Sequence, residues 1–353
     1  MKALVTGATG IVGSNLVRAL LDAGHAVRVL VRAGSDTRGL AGLAIDRHEG
    51  DVLRPDDLVP AMAGCDVAFH AAAVFAYWGQ SAEDQSDLAV RGTRNVLEAA
   101  RQGGAERVVV TSSSVVLGSS ATPRIRDETA AFDEARPSAY AISKLRQENI
   151  AFEIGGELGL DVVAVCPTLC VGPYDYRLSP SNAYVVNYLN DPFRSTFIGG
   201  CNIVSARDVA MGHVLAAERG APGSRYVLGS ENLDWREVHR LISELAGTFG
   251  PSLVLNHTAS YLAATASELM ARMAGTAPTA TRDEARMATR YFWYDHKRIG
   301  LLGYSPKPAR EALAEAIAWL LGRAYVTESV MQSLKPAPEV VASRQLHSRD
   351  RMP

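Results

Sequence analysis

The amino-acid sequence predicts an α/β fold, with a doubly wound parallel sheet followed by a smaller, mostly helical C-terminal domain. Short runs rich in Val, Leu and Ala recur through the first half of the chain, and several show no polar alternation. This pattern is typical of strands buried on both faces of a parallel sheet. Helix-like segments separate these runs about every 30 to 40 residues, which indicates right-handed βαβ units with helices on both sides of the sheet.

The elements of the sheet domain follow in order along the chain. The predicted strands cover residues 2–6, 26–31, 66–70, 107–112 and 161–166. The predicted helices between them include residues 12–23, 85–102 and 138–158. The first of these helices ends before Gly24 and has one apolar face, formed by Val12, Leu16, Ala19, Leu20 and Ala23.

The regular alternation of strands and helices stops part-way along the chain. Residues 1–172, with a return segment at 201–230, are predicted to form the sheet domain. Residues 173–200 and 231–325 are predicted to form a smaller lid domain that binds the substrate. Residues 326–353 lose helical periodicity, which predicts a solvated tail, with a short docked piece as the alternative.

The composition is that of an ordinary globular protein and excludes several classes. Hydrophobic residues make up 47% of the chain and charged residues 21%, unlike a disordered or collagen-like sequence. The formal net charge of −2 creates no field that favours nucleic acid or an anionic membrane, so we expect a small-molecule partner. The sequence shows no signal-peptide pattern and no long apolar run, so a cytoplasmic enzyme is expected.

The cysteines indicate neither a disulfide framework nor a metal centre. Cys65, Cys166, Cys170 and Cys201 form no C-x-x-C pair and join no His-rich cluster. We expect them to be reduced thiols in the core, and we expect no metal site.

A glycine-rich loop follows the first predicted strand directly and opens the first helix. Its sequence is Gly7-Ala8-Thr9-Gly10-Ile11-Val12-Gly13, with G-x-x-G-x-x-G spacing. Glycines let the backbone approach a pyrophosphate, and the N–H groups at a helix N-terminus favour negative charge. The alternative is a glycine-rich turn without a ligand. We predict a dinucleotide site in a Rossmann-type fold, contacted by Gly7, Thr9, Gly10, Ile11, Val12 and Gly13.

The end of the second predicted strand indicates which dinucleotide binds. An acid about 20 residues after the loop would bind the adenosine ribose of NAD, but this sequence has Arg32 there. Arg32 and Ser35, with Arg38 nearby, offer donors to a 2′-phosphate, which predicts NADP(H). The alternatives are a solvated strand-end arginine and an NAD site in which Asp36 is the acid.

A further cofactor contact is predicted at the adenine ring. Asp51 and Val52 follow a third strand candidate. Asp51 would accept a hydrogen bond from the adenine amino group, and Val52 would pack on the ring. The competing interpretation is that Asp51 caps a helix at 54–63.

Three polar side chains predict chemistry at the carboxyl end of the sheet. Tyr140 and Lys144 are four residues apart near a helix start, so the phenol and the ammonium share one face. A nearby cation favours the phenolate, which matters because an ordinary tyrosine transfers protons poorly at neutral pH. Ser113 follows the strand at 107–112, where ligands of doubly wound folds bind, and its hydroxyl would meet a substrate carbonyl. A Y-x-x-x-K match alone usually marks a solvated helix face, so the prediction depends on the three motifs occurring in this order.

Together the motifs resemble the extended short-chain dehydrogenase/reductase superfamily. The matching segments are TGATGIVG, the Gly-Asp pair at 50–51, HAAA at 70–73, TSSS at 111–114, the Tyr-x-x-x-Lys pair and PTLCVGP at 167–173. The resemblance covers roughly residues 1–323. It implies that Tyr140 is the general acid/base, that Lys144 tunes it and binds the nicotinamide ribose, and that Ser113 orients the carbonyl. It also implies cofactor contacts by Ala71, Ala72, Ala73 and Pro167.

Two branches of the superfamily are similar to this chain. PTLCVGP resembles a segment of dihydroflavonol-reductase-like enzymes, whereas VRVLVRAGSD, DVAMGHVLAAERG and YVLGSENL resemble hopanoid-associated sugar epimerase-like proteins. The surroundings of Arg32 favour the reductases, since nucleotide-sugar epimerases usually retain NAD. One departure from the superfamily is Ala89, where relatives often have an asparagine that organises the site.

The substrate is expected between the nicotinamide end of the site and the lid. The residues expected around it are Phe75, Tyr77, Trp78, Val115, Tyr174 and Tyr176. These aromatic groups favour an apolar or ring-bearing substrate, and the alternative is aromatic packing at a domain junction. Arg177 and Arg194 would meet a phosphate or carboxylate, with solvated surface arginines as the alternative, and His70 is expected to be structural.

The leading hypothesis is an NADPH-dependent carbonyl reductase, or the reverse alcohol dehydrogenase, acting on a ketone or aldehyde. The alternatives are a nucleotide-sugar epimerase or dehydratase with tightly bound NAD, and a non-catalytic NADP-sensing protein. The Tyr–Lys pair argues against the sensor, because sensors of this fold generally lack it. Relatives often form homodimers through helices equivalent to 85–102 and 138–158, so a homodimer is an expectation.

Overall fold

The computed structural model describes residues 1–72, 82–276, 278 and 280–349, and its strands and helices lie within these ranges. The strands are β1 (Lys2–Thr6), β2 (Ala26–Val31), β3 (Asp46–Glu49), β4 (Val67–His70), β5 (Arg107–Thr111), β6 (Ile125–Arg126), β7 (Asp161–Pro167), β8 (Leu169–Val171), β9 (Ser195–Phe197), β10 (Gly200–Ser205), β11 (Arg225–Leu228), β12 (Glu231–Asp234), β13 (Leu253–Leu255) and β14 (Tyr291–Tyr294). The α-helices are α1 (Ile11–Asp22), α2 (Pro55–Met62), α3 (Ala82–Gly103), α4 (Ala139–Leu158), α5 (Pro180–Asn190), α6 (Ala206–Arg219), α7 (Trp235–Ala246), α8 (His257–Ala274), α9 (Arg282–Ala288), α10 (Lys297–Gly300), α11 (Ala309–Leu321), α12 (Glu328–Ser333) and α13 (Pro338–Arg349).

One sheet of seven parallel strands organises the chain. Its order is β3-β2-β1-β4-β5-β7-β11, and each neighbouring pair is parallel. The strand order reverses between β1 and β4, and doubly wound sheets bind ligands at such a switch point. The predicted doubly wound α/β fold is therefore confirmed, and the five predicted strands differ from the observed ones by at most one residue at an end.

Helices cover both faces of this sheet because each has one apolar side. On one face α1 packs against α6, where Leu16, Leu20 and Val214 join the core. On the other face α3 lies along α4 and α2, with Leu58 and Ile154 buried between helices and sheet. This sandwich holds the carboxyl ends of β1, β4 and β5 at one edge.

A second, smaller sheet lies beyond β7. In it β10 pairs with β8, β12 and β14, and β14 also pairs with β6. The chain rejoins the main sheet through α6 and β11. The return therefore begins at residue 206 and not at 201, because β10 belongs to the second sheet.

The C-terminal region is mostly helical, and it differs from the sequence-based expectation at its end. Residues 326–349 contain α12 and α13 instead of a solvated tail, and Val326 and Val340 are buried in the core formed by α7 and α11. Lys335 and Ala337 donate backbone hydrogen bonds to carbonyls at the C-terminal end of α7. These contacts are made across the fold, so no local periodicity reveals them.

The four cysteines are buried and free, as expected. Within the described ranges, no three or more potential ligands cluster as a metal site would require. None of the helices described is both long and apolar enough to cross a bilayer.

Candidate active site

The glycine loop packs against the end of β4 so closely that side chains are excluded. Gly7 has φ +71°, and a Cβ added there would lie 2.5 Å from the backbone of Ala71 and Ala72. A Cβ on Gly13 would lie 2.2 Å from the Gly7 carbonyl oxygen. Both distances are well inside van der Waals contact, so the approach of β1, α1 and β4 requires glycine at these two positions.

At the N-terminus of α1, no side chain caps the backbone N–H groups of the first turn. Gly10 is the N-cap residue and supplies no side-chain cap. The N–H groups of Ile11, Val12 and Gly13 have no partner within the helix, because the first turn never does. Thr9 is partly exposed in the same loop. The cradle therefore fits the pyrophosphate of a dinucleotide, which favours a helix N-terminus of this kind.

Arg177 lies beside this loop, whereas the sequence analysis expected it at the substrate. Its Nη2 is 3.6 Å from the position of a Cβ on Gly10. The preceding residues are fixed to α1, since Ser14 Oγ donates to the Tyr174 carbonyl at 3.0 Å and Asn15 Nδ2 to the Pro173 carbonyl at 3.0 Å. The Arg177 side chain is exposed. Its guanidinium thus lies next to the anion cradle.

The end of β2 carries the groups that were expected to select the dinucleotide. Arg32 is exposed, and no group in the described part of the chain pairs with its guanidinium. Ser35 is partly exposed and its N–H donates to the Arg32 carbonyl at 3.1 Å. Arg38 binds Asp36 through both carboxylate oxygens at 2.6 to 3.0 Å. These hydrogen bonds lower the pKa of Asp36 to about 2, so its carboxylate stays charged but neutralised by Arg38.

Asp51 and Val52 form a turn after β3. Asp51 Oδ1 accepts from the Leu53 N–H at 3.0 Å, and the Val52 carbonyl accepts from Asn95 Nδ2 at 2.9 Å. The N-cap of α2 is Arg54, so Asp51 does not cap that helix. The competing interpretation of Asp51 is therefore wrong. Its adenine contact remains a prediction.

Ser113 and Tyr140 meet where β5 and α4 converge. Ser113 is buried after the end of β5, and Tyr140 is partly buried in the first turn of α4, which Ser138 caps. Burial raises the pKa of Tyr140, and a hydrogen bond with Ser113 opposes that rise. The expected lowering of the Tyr140 pKa is thus not observed in the chain itself.

Lys144 is buried on the same helix. Its ammonium donates to the Thr111 carbonyl at 2.8 Å and to Gln147 Oε1 at 2.9 Å. Burial lowers the pKa of Lys144 to about 8. The side-chain acceptor of the lysine is thus Gln147, a residue that sequence analysis did not identify.

A cavity of about 520 Å³ lies near the start of α4. Its wall includes Val115, Ser138 and Ala141, which are close in sequence to Ser113 and Tyr140, although those two residues do not line it. The remaining lining comes from residues 121, 134–136 and 198 and from the C-terminal region. That region contributes His257, Asp283, Arg286, Met287, Thr289, Arg290 and Phe292. Val115 lines this cavity, and its contact with the substrate remains a prediction.

Other residues expected at the substrate lie elsewhere. Tyr174 is buried between Arg18, 3.6 Å from its ring centre, and Trp319, and Tyr176 packs on Trp319 and Arg323. Neither lines the cavity, because both rings are occupied in packing the segment after β8 against α1 and α11. Arg194 is buried and binds carbonyls at the end of α5, which excludes it as a ligand anchor.

The remaining predicted contacts have mixed outcomes. Ala71 and Ala72 lie against the glycine loop, as described above, and Pro167 is buried at the end of β7 beside Leu228. Ala73, Phe75, Tyr77 and Trp78 lie outside the described residues.

Comparison with known proteins identifies the family. The model of the NAD dependent epimerase/dehydratase family matches residues 3–229, which span the whole seven-stranded sheet. The chain belongs to this family. Its members are extended short-chain dehydrogenase/reductases, so the expected superfamily is confirmed.

Several known proteins are similar to this chain over almost its full length. A putative dihydroflavonol 4-reductase from Synechocystis sp. is 34% identical over 328 residues, covering 91% of this chain and 95% of that protein. Sterol demethylase protein B from Methylococcus capsulatus is 30% identical over 338 residues, covering 92% and 100%. The crystal structure of gox2253 superposes with a TM-score of 0.81 at 35% identity, covering 92% and 99%. The family member is thus an oxidoreductase of the extended short-chain dehydrogenase/reductase type.

Proposed function

We propose that this chain is an NADPH-dependent carbonyl reductase that reduces a ketone or aldehyde of an apolar, ring-bearing metabolite. The observation that carries the proposal is the hydrogen bond between Ser113 and Tyr140 at the carboxyl end of β5, with Lys144 one turn further along α4 and bound to the Thr111 carbonyl. The glycine loop follows β1 at the same edge of the sheet, and a cavity lies near the start of α4. A dinucleotide and a carbonyl substrate can thereby meet at one edge of the sheet.

The surroundings of Arg32 support NADPH as the cofactor. The Arg32 guanidinium is exposed and has no partner among the described residues, and we assign it and the Ser35 hydroxyl to the 2′-phosphate. Asp36, the acid that would favour NAD, is held by Arg38. A carboxylate neutralised in this way neither competes for a ribose hydroxyl nor repels a phosphate strongly.

The pyrophosphate is assigned to the cradle of α1 with Arg177. Its charge would be met by the first-turn N–H groups of the helix and by the guanidinium beside Gly10. The contact adds no preference between the two dinucleotides, because both carry the same pyrophosphate.

The reaction follows from the three polar side chains. Bound NADPH supplies the hydride that reduces the carbonyl carbon. Ser113 donates a hydrogen bond to the carbonyl oxygen, and Tyr140 transfers its phenolic proton to that oxygen as charge develops. The raised pKa of Tyr140 keeps the phenol protonated before the reaction. The Lys144 ammonium then stabilises the resulting phenolate.

The cavity supports the substrate class. Its volume of about 520 Å³ suits a molecule with several rings. Val115, Ala141, Met287 and Phe292 offer apolar contacts, while Arg286 is bound to Asp283 in an ion pair. The names of the two relatives, a dihydroflavonol reductase and a sterol demethylase protein, also refer to ring-bearing substrates.

The decisive experiment identifies the cofactor and its mode of binding. Purified protein is denatured and any released nucleotide is identified; in parallel, nucleotide-free protein is titrated with NADPH and NADH. Tighter, exchangeable binding of NADPH, followed by turnover of polycyclic ketones, would support the reductase. Stoichiometric, non-exchanging NAD would overturn it and direct the search to nucleotide-sugar epimerisation or dehydration.

A further inference from the structure

A buried chain of hydrogen bonds leads from Lys144 to the end of β4. Lys144 Nζ donates to Gln147 Oε1 at 2.9 Å, and Gln147 Nε2 donates to Thr93 Oγ1 at 3.2 Å. The same hydroxyl is 3.2 Å from His70 Nε2, and His70 Nδ1 is 2.9 Å from Thr6 Oγ1. From Gln147 to Thr6 each side chain is at most 2% exposed. Bulk water cannot replace these partners.

The orientation of the Gln147 amide follows from its two partners. Burial and the Lys144 charge lower the pKa of His70 to about 3, so the imidazole is neutral. The Lys144 ammonium can only donate, so it fixes the Gln147 amide with its oxygen towards the ammonium and its NH₂ group towards Thr93 Oγ1. Either neutral tautomer of His70 completes the hydrogen bonds to Thr93 and Thr6.

The Lys144 ammonium has three N–H donors, and two have protein acceptors. One acceptor is the Thr111 carbonyl, whose place is set by β5, and the other is the Gln147 side chain. No acceptor in the described part of the chain binds the third N–H, which is therefore available to a ligand in the site. Two fixed acceptors define where the third donor points.

We propose that Gln147 is a positioning residue, whose amide keeps the Lys144 ammonium charged and aimed at the bound dinucleotide. The inference rests on the proposed dinucleotide binding. A buried ammonium is unstable unless acceptors replace its water, and a carbonyl oxygen at 2.9 Å does so without introducing a second charge.

The test measures dinucleotide affinity against pH in Gln147→Leu and Gln147→Glu. Fluorescence titrations between about pH 6 and pH 10 use whichever dinucleotide the wild type binds more tightly. Wild-type affinity is expected to fall as Lys144 loses its proton near pH 8. Gln147→Leu removes an acceptor, so the midpoint should fall by about one pH unit, and Gln147→Glu adds a carboxylate, so it should rise by about as much.

Ser143→Ala is the matched control. Ser143 is buried on the same helix next to the lysine, but its hydroxyl donates to the Gln85 carbonyl. The control should leave the midpoint unchanged even if thermal stability falls. If Gln147→Leu does not fold, the midpoint of the nearly isosteric Gln147→Glu variant is sufficient to test the inference.

Two results would overturn the inference, and they are distinguishable. Midpoints that stay within about a quarter of a unit of wild type in every folded Gln147 variant would show that Gln147 is only structural. A wild type that binds neither dinucleotide would overturn the proposed function and this inference together.

Discussion

The two ends of the active site are built in different ways. The end proposed to bind the dinucleotide is built from backbone, because a Cβ added to Gly7 or Gly13 would lie only 2.2 to 2.5 Å from neighbouring backbone atoms. The cavity proposed to bind the substrate is lined by side chains from the segment after β5, from α4 and from the C-terminal region. In this proposal, cofactor binding is a property of the sheet, whereas substrate choice depends on side chains that can change one at a time.

The largest effect is expected where the two ends meet, at Tyr140. Tyr140→Phe should lower turnover by about 10²- to 10⁴-fold, because it removes the proton donor, and should leave dinucleotide affinity within about twofold. Initial rates and fluorescence titrations measure the two quantities. Tyr304→Phe is the control, since its buried hydroxyl has no hydrogen-bond partner in the described ranges. Turnover above a tenth of wild type in Tyr140→Phe would contradict the assigned role.

At the dinucleotide end, Gly13→Ala should weaken binding of both dinucleotides by more than about tenfold and lower the melting temperature. The added methyl group would lie 2.2 Å from the Gly7 carbonyl oxygen, so the loop must open. Gly156→Ala is the matched control, because its Cβ meets no atom within 4 Å and alanine favours a helix. Wild-type affinity in Gly13→Ala would show that the loop is not the cradle.

Substitutions of two arginines test recognition of the 2′-phosphate and of the pyrophosphate separately. Arg32→Ala should weaken NADPH binding by about tenfold and leave NADH binding unchanged, because only NADPH carries the 2′-phosphate. Arg177→Ala should weaken both dinucleotides equally, by about three- to tenfold, through the shared pyrophosphate. Isothermal titration with both dinucleotides gives the four affinities. An equal loss for NADPH and NADH in Arg32→Ala would remove the argument for NADPH.

The smallest effect is expected at the substrate end. Met287→Ala removes apolar contact from the cavity wall and should raise the KM for a bulky ketone by about three- to tenfold. The dinucleotide affinity should not change, because Met287 is assigned to the substrate and not to the cofactor. Steady-state kinetics at saturating NADPH checks both statements. A change in dinucleotide affinity without a change in KM would place the substrate elsewhere.

The parts of the site that sequence analysis identified are those with local signals. The glycine loop is recognisable because turn, strand and helix follow one another within about a dozen residues. Tyr140 and Lys144 are recognisable because helical spacing brings them together. Gln147 is within the same helix but was missed, since its role depends on Thr93 and His70, which are distant in sequence.

The substrate region shows where such reasoning failed. Tyr174 and Tyr176 follow a motif and are aromatic, which predicted a substrate contact, yet Trp319 and several arginines occupy their rings. Residues of α9 and β14 line the cavity although no motif marks them. The end of the chain was taken for a tail because α13 depends on α11 for burial.

The sequence alone determined the doubly wound sheet, the anion cradle and the family's polar trio. Each of these depends on backbone geometry, helical period or strand ends, which a few neighbouring residues specify. Only the tertiary structure decided the lining of the cavity, the position of Arg177 and the buried partners of Lys144. These depend on contacts between residues up to about 170 positions apart, and such contacts form only when the core packs around them.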